Sequence, residues 1–132
     1  MTKAVLKGRR IVEGLCRAEA LVSMKPISFL GGVDPQTGII VEKGSDIYGE
    51  RVKDKVLCFP HGHGSTVGSY VIYALAKNSA APAALVNEKA DSVIVIGAVM
   101  ANIPMVDQID ISKIRKGDIV EVDAYNGVVR IL

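Results

Sequence analysis

The chain has 132 residues, the length of one ordinary folded domain, and its 16 basic and 14 acidic residues leave a net charge of +2. This near balance excludes the strongly basic composition that is typical of proteins binding nucleic acids or membrane surfaces. Hydrophobic residues make up 49% of the chain, which excludes intrinsic disorder. We therefore expect a single folded domain over residues 1–132, with no nucleic-acid or membrane partner.

Charge is unevenly distributed along the chain. The first 30 residues contain six basic residues and two acidic ones, namely Lys3, Lys7, Arg9, Arg10, Arg17 and Lys25 against Glu13 and Glu19. This excess predicts a weakly basic face, which would suit an anionic substrate or an acidic partner and is also typical of an ordinary solvated surface.

Two further features concern location and redox state. The N-terminal residues lack the apolar region of a signal peptide, and no apolar run reaches the ~18–20 residues of a membrane span, so we expect a cytoplasmic protein. Cys16 and Cys58 lie among apolar neighbours, which predicts buried free thiols. Two cysteines cannot hold an iron–sulfur cluster alone.

The hydrophobic pattern predicts alternating strands and helices. Seven strands are expected at residues 3–6, 16–23, 38–41, 55–59, 83–87, 119–123 and 128–132. Helices are expected at 66–77 and at 91–102, although the apolar run 93–96 is equally typical of a strand, and a short strand follows at 104–106. Asn126 and Gly127 predict a terminal hairpin turn, with both residues supplying positive φ angles. The fold class is therefore α/β.

The most informative motif is Pro60-His61-Gly62-His63-Gly64-Ser65-Thr66-Val67-Gly68-Ser69. It lies between a strand end and a helix start, the place where open α/β sheets bind ligands. Backbone N–H groups there can hold a phosphate or carboxylate, and they can stabilise the alkoxide form of Ser65, which would make its hydroxyl a base.

Simpler interpretations stand beside these. Ser65 or Thr66 could equally well be the N-cap of the helix. His61 and His63 could bind a metal ion as a pair, or they could contact the substrate. The spacing matches neither a P-loop, a dinucleotide fingerprint nor a nucleophile elbow. Asp34, in a glycine-rich segment at 29–49, is a second candidate for binding or the start of a turn before Pro35.

Four stretches occur in order over nearly the whole chain: residues 28–38 (SFLGGVDPQTG), 47–50 (IYGE), 55–57 running into 62–69 (GHGSTVGS), and 81–84 (APAA). In order and spacing they resemble the swivel domain, or small subunit, of the aconitase X family. The resemblance implies a swivelling β/β/α domain, with mixed sheets and a few short helices, that fills residues 1–132.

The same resemblance implies a hydro-lyase that works only as a heterodimer. A separate large subunit would carry a 4Fe-4S cluster, one iron of which acts as a Lewis acid, while this chain would hold no cofactor and no metal. The implied reaction dehydrates (R)-5-phosphomevalonate, a small phosphorylated hydroxy acid, to trans-anhydromevalonate 5-phosphate in an archaeal mevalonate route to isoprenoids. Relatives that dehydrate hydroxyproline isomers, and a non-catalytic module that binds an anion or a partner, are the alternatives.

The family's proton-accepting serine matches Ser65 in this sequence. We expect Gly64, Thr66, His63 and Asp34 to contact the substrate. The family usually reads Gly-Arg-Gly-Ser where this chain has Gly62-His63-Gly64-Ser65. An arginine is always charged whereas a histidine is charged only when protonated, so His63 is expected to make substrate binding depend on pH.

Overall fold

A computed structural model describes residues 2–132, which form eight strands, three helices and one 3₁₀ turn. The strands are β1 (Ala4–Lys7), β2 (Arg9–Val12), β3 (Leu15–Val22), β4 (Val56–Phe59), β5 (Ala84–Asn87), β6 (Met105–Asp107), β7 (Ile119–Asp123) and β8 (Val128–Ile131). The helices are α1 (Phe29–Gly32), α2 (Gly68–Lys77) and α3 (Ser92–Ala101), and the 3₁₀ turn is Ile111–Lys113. The first of them, α1, is a single irregular turn, because Leu30 and Gly31 have non-helical backbone angles.

All eight strands belong to one mixed sheet in the order β1-β8-β7-β3-β4-β5-β6-β2. Its central strand β3 pairs antiparallel with β7 through residues 15–19 and parallel with β4 through residues 20–22. Strands β4, β5 and β6 are parallel to one another, and β2 closes that edge in the antiparallel sense. The sheet therefore has an antiparallel half and a parallel half that share β3.

The parallel half lies between two hydrophobic layers. Alternate residues point to opposite faces of a strand, and both sets are buried here, which explains why β4 is entirely apolar and β5 is apolar as far as Val86. One set packs under the helices and comprises Leu21, Leu57, Phe59, Leu85 and Met105. The other set packs against the antiparallel half and comprises Ala20, Val56, Cys58, Ala84, Val86 and Val106. This layering confirms the predicted α/β fold with a mixed sheet and a few short helices.

Helix α3 confirms the helical interpretation of residues 91–102. The Asp91 carboxylate caps its start by accepting from the backbone N–H of Ile94, and Asn102 ends it in the left-handed conformation with φ 54°. A side chain at Gly97 would collide with Ile72 of α2, at 2.6 Å from its Cδ1 atom. Because Gly97 lacks one, α2 and α3 pack closely.

Four local predictions differ from the structure. Strand β2 was not predicted, because its first two residues are arginines and the apolar pattern of a strand is therefore missing. The position of β2 at an edge of the sheet allows these charged side chains. Residues 38–41 form only isolated bridges, at Ile39 and Ile40, rather than a strand. The predicted helix at 66–77 begins later, at Gly68. The terminal hairpin is present, but of its two turn residues only Gly127 has a positive φ, of 69°.

The cysteines are free, as predicted, but only Cys58 is fully buried, while Cys16 is half-buried. Burial raises the pKa of both thiols, although the effect on Cys16 is reduced by a backbone hydrogen bond at Val122. Within residues 2–132 there is no helix with the length and apolar character needed to cross a membrane.

Candidate active site

The segment between β4 and α2, residues 60–67, lies at the carboxyl end of the parallel strands. Its first part is held to the segment after β3: the Ile27 N–H donates to the His61 carbonyl at 3.2 Å, and the His63 N–H donates to the Ile27 carbonyl at 3.1 Å. Ile27 and Gly62 thereby form a parallel bridge beyond the ends of β3 and β4. The chain is thus extended as far as His63, and we call residues 60–67 the active-site loop.

The Asp91 side chain binds the same loop on the side opposite Ile27. One carboxylate oxygen accepts a 2.7 Å hydrogen bond from the Gly62 N–H, and the other accepts from the Ile94 N–H at 3.4 Å. Gly62 is buried, and a side chain there would lie 2.5 Å from Ile94 Cγ1. The sequence predicts a helix beginning at Asp91, but the bond from Gly62 could not be predicted, because no local pattern connects residues 29 positions apart.

Gly64 turns the chain at the end of the extended part. Its φ of +91° lies in the left-handed region, where a side chain is strained. A Cβ atom there would lie 2.6 Å from the hydroxyl oxygen of Ser28, whose own hydroxyl donates to the Leu30 carbonyl. Position 64 therefore favours glycine for two reasons, the positive φ angle and the lack of space for a side chain.

Ser65 follows this turn and is exposed. Its hydroxyl oxygen accepts a 3.1 Å hydrogen bond from the Val67 N–H, and its carbonyl accepts from the Gly68 N–H at 3.0 Å. The residue that caps α2 is Val67, without a side-chain bond, so Ser65 begins the turn that precedes the helix and is not its N-cap. The Ser65 oxygen consequently lies close to the positive end of the α2 dipole.

Three consecutive backbone donors surround this serine. Within residues 2–132, no acceptor takes a hydrogen bond from the N–H groups of Gly64, Ser65 and Thr66. Consecutive free N–H groups in a turn form a concavity that binds anions. The structure therefore has free backbone donors in the loop before the helix, and the binding of an anion by them stays a prediction.

The two histidines are exposed and do not form a pair. His61 lines a cleft of about 290 Å³ together with Lys89, Ala90 and Asp91, and its Nδ1 atom lies 2.8 Å from the Gly62 carbonyl oxygen. His63 lines a different cleft, of about 490 Å³. The structure therefore places the two imidazoles in different clefts and does not bring them together as a metal-binding pair.

Asp34 is not brought to the same place. Its carboxylate accepts from the Gln36 N–H at 2.9 Å, which closes the turn that the sequence also allowed. The neighbouring Pro35 carbonyl accepts from the Asn78 side chain, at the carboxyl end of α2. Helix α2 has ten residues and is about 15 Å long, so Asp34 and Ser65 lie near its opposite ends.

The chain's own side chains do not fit an iron–sulfur cluster. A 4Fe-4S cluster is held by cysteine thiolates, but Cys58 is an inward-facing residue of β4 and Cys16 lies on β3. Over residues 2–132 no group of three or more His, Cys, Asp or Glu side chains is placed to hold a metal ion. These two thiols therefore do not supply the ligands of such a cluster.

Comparisons with known proteins agree with this fold. A family model described as the aconitase X swivel domain matches residues 5–131. The chain is 60% identical to the "phosphomevalonate dehydratase small subunit" of Thermococcus sibiricus over 126 residues, 96% of this chain and 97% of the relative. A protein with the same description from Pyrococcus furiosus is 55% identical over 127 residues, 96% of this chain and 95% of the relative.

A solved structure extends the comparison to three dimensions. The crystal structure of Thermococcus kodakaraensis aconitase X in its holo-form superposes with a TM-score of 0.97 at 53% identity, covering 98% of both chains. The chain belongs to the aconitase X swivel domain family. Within that family, the relatives named above are described as small subunits of phosphomevalonate dehydratase.

Proposed function

We propose that this chain is the small subunit of a phosphomevalonate dehydratase and that it supplies Ser65 as the proton acceptor. Full-length identity of 60% to a protein of that description supports the reaction. The observation that carries the role of Ser65 is its position: an exposed hydroxyl next to three free backbone donors, at the start of α2. The reaction removes water from (R)-5-phosphomevalonate and gives trans-anhydromevalonate 5-phosphate.

Ser65 takes the proton from the carbon next to the substrate carboxylate. A serine hydroxyl is a poor base in water, and its alkoxide form must be stabilised for this step. The Val67 N–H donates to the Ser65 oxygen, and the α2 dipole adds positive potential there. The free N–H groups of Gly64 and Thr66 provide donors for the negative charge that develops on the substrate.

This chain alone does not protect the proposed base from solvent, because Ser65 is exposed and water would protonate its alkoxide form. A large subunit must therefore cover the loop and exclude solvent. The description of the relatives as small subunits supports such a partner. We assign the 4Fe-4S cluster to that subunit, since the cysteines of this chain do not fit one, and one of its irons would act there as a Lewis acid that takes the leaving hydroxyl group.

An apolar surface next to the active-site loop supports a docking site for the large subunit. Tyr70, Ile96 and Val99 are 63%, 52% and 61% exposed, and α3 has no charged residue. Tyr70 and Ile96 line one pocket of about 220 Å³ with Thr66, so this surface is continuous with the loop that the partner must cover. Contiguous exposed apolar side chains on a folded domain are typical of protein interfaces.

The test is co-expression with the large subunit under anaerobic conditions, followed by product analysis. We expect dehydration of phosphomevalonate in the wild-type complex and a loss of at least about 10³-fold in turnover for Ser65→Ala. Size-exclusion chromatography should show unchanged assembly. Ser112→Ala, which removes an exposed hydroxyl from the 3₁₀ turn, is the matched control and should keep full activity.

Near-normal turnover in Ser65→Ala would refute its catalytic role. Activity of the wild-type complex on hydroxyproline isomers in place of phosphomevalonate would refute the proposed substrate. A complex that binds phosphate but dehydrates neither compound would indicate a non-catalytic binding module.

A further inference from the structure

The cleft beside His63 has no part in the proton transfer described above. It has a volume of about 490 Å³ and is lined by Lys25, Pro26, Glu42, Gly44, Ser45 and His63. His63 is separated from Ser65 by one residue in the active-site loop. Because two residues of extended chain span at most about 7 Å, this cleft opens within a small molecule's length of the proposed base.

Lys25 brings to this cleft a positive charge that forms no ion pair in the part of the chain that the structure describes. Its ammonium group donates to the Gly44 carbonyl oxygen at 3.1 Å, and it has no carboxylate partner in any ion pair of residues 2–132. An ammonium group has three donors, so two remain for a ligand. His63 likewise has no ion-pair partner in that part of the chain.

The backbone on both sides of the cleft is fixed. Ser23 is buried with 1% exposure, and its hydroxyl lies 2.7 Å from one carboxylate oxygen of Asp46, while the Met24 N–H donates to the other at 2.8 Å. These bonds hold the turn that carries Lys25 against the segment that carries Ser45. The bridge between Ile27 and Gly62 then fixes this turn relative to His63. Lys25 and His63 therefore start from fixed backbone positions.

We propose that the Lys25–His63 cleft binds the phosphate group of the substrate through the Lys25 ammonium, the His63 imidazole and the Ser45 hydroxyl. This inference rests on the proposed function. In phosphomevalonate the carbon that loses its proton is next to the carboxylate, and several bonds separate it from the phosphate. Donors for the phosphate must therefore lie near Ser65 without touching it, and the cleft that His63 shares with Lys25 meets this requirement because His63 is two residues from Ser65.

Glu42 lies in the same cleft and provides a test of opposite sign. Its carboxylate weakens the binding of a phosphate dianion by repulsion. Removing that charge should strengthen phosphate binding, whereas removing the charge of Lys25 should weaken it. A general loss of structure would weaken binding in both variants.

Steady-state kinetics of the assembled enzyme test the site. Lys25→Met should raise the KM for phosphomevalonate about tenfold or more with little change in kcat, since a charge-assisted contact to a bound group is lost. Lys25→Arg should restore most of the affinity, and Glu42→Gln should lower KM. Lys77→Met removes the same charge at the far end of α2 and should leave KM unchanged. An unchanged KM in Lys25→Met, or an equal rise in Lys77→Met, would overturn the proposal.

A second measurement does not depend on turnover. Titration of the complex with inorganic phosphate, followed by ³¹P NMR, should show saturable binding that Lys25→Met weakens and Lys77→Met does not. If the complex is inactive on phosphomevalonate, the proposed function fails, and this titration still decides whether the cleft binds phosphate. Absence of saturable binding, or binding that is the same in Lys25→Met, would overturn the cleft assignment.

Discussion

The Asp91 carboxylate accepts a 2.7 Å hydrogen bond from the backbone N–H of Gly62, which lies 29 residues earlier in the chain. The same carboxylate caps α3. One side chain therefore serves two elements, the start of a helix and the extended part of the active-site loop. Its removal should affect both the stability of the fold and the geometry of the site.

We expect Asp91→Ala to lower the free energy of unfolding by about 1–2 kcal/mol, because a helix cap and a loop contact are lost together. Turnover of the assembled enzyme should also fall. Asp91→Asn keeps one acceptor oxygen and can therefore keep only one of the two bonds, so it should recover part of the stability. Urea unfolding and turnover measured on both variants provide the check, and an Asp91→Ala variant with wild-type values of both would contradict the double role.

A side chain at Gly64 should impair the site. We expect Gly64→Ala to be destabilised by about 1 kcal/mol or more, because alanine is strained at a φ of +91°. The added methyl group would also displace Ser28, only 2.6 Å away. Gly117→Ala is the matched control: its φ is also +91°, but a Cβ atom there would have no neighbour within 4 Å.

Both glycine variants should therefore lose stability in urea unfolding, with the larger loss in Gly64→Ala because of the added collision with Ser28, whereas only Gly64→Ala should lose turnover. Equal turnover in the two variants would show that the close approach of Gly64 to Ser28 does not matter for the site.

The position of the active-site loop could be predicted from the sequence because its signals are local. A buried apolar strand, a run of glycines and a helical period follow one another directly there. The cap at Asp91 and the end of α3 at Asn102 were predictable for the same reason. The role proposed for Ser65 additionally required the family resemblance, because a serine before a helix is most simply a cap.

The features that could not be predicted depend on contacts between residues that are distant in the sequence. Strand β2 exists because its backbone pairs with β6, nearly 100 residues later, while its own side chains include two arginines. The separation of His61 from His63 results from tertiary packing, which places their imidazoles in different clefts. Asp34 was grouped with the loop because both segments are rich in glycine, whereas α2 holds them apart.

The two thiols should differ in reactivity. Burial raises the pKa of Cys58 and leaves its sulfur without access to solvent, whereas Cys16 is only half-buried. Because the thiolate is the reactive form, we expect iodoacetamide at pH 8 to modify Cys16 slowly and Cys58 hardly at all in the folded chain. Peptide mapping by mass spectrometry measures this difference. In urea both should react alike, and rapid labelling of Cys58 in the folded chain would contradict its burial.

Acid should remove a specific stabilising contribution from the terminal hairpin. The Asn126 side chain donates to the Asp123 carboxylate and lowers its pKa below the ordinary value of 3.8, with further help from the backbone N–H groups of Asn126 and Tyr125 and from Arg130. A lowered pKa in the folded state stabilises the fold above pH 3.8, and this contribution is lost as the pH falls toward the lower value.

The matching variant is Asp123→Asn, which has no ionisable group at that position. It should be less stable than the wild type at pH 7, and the difference should shrink steadily below about pH 4. Urea unfolding across this pH range measures the change. A difference that is independent of pH would show that the ionised form of Asp123 is not favoured by folding.

The apolar surface of α2 and α3 should be required for assembly. Ile96→Glu and Val99→Glu place a charge on exposed positions, so the isolated chain should fold normally while the complex with the large subunit weakens at least about tenfold. Analytical ultracentrifugation measures assembly, and circular dichroism verifies folding. Val5→Glu, at an exposed apolar position on β1, is the control and should assemble like the wild type.

The hydrogen bonds that hold the active-site loop to Ile27 and Asp91 have a consequence for the free energy of substrate binding. Ile27 and Asp91 form hydrogen bonds with residues 61–63 of the loop. Because of these bonds, residues 61–63 lose most of their conformational entropy during folding and not during binding. The segment that leads to Ser65, the proposed base, is therefore ordered before substrate binds, and only the part of the loop after His63 would lose conformational freedom on binding.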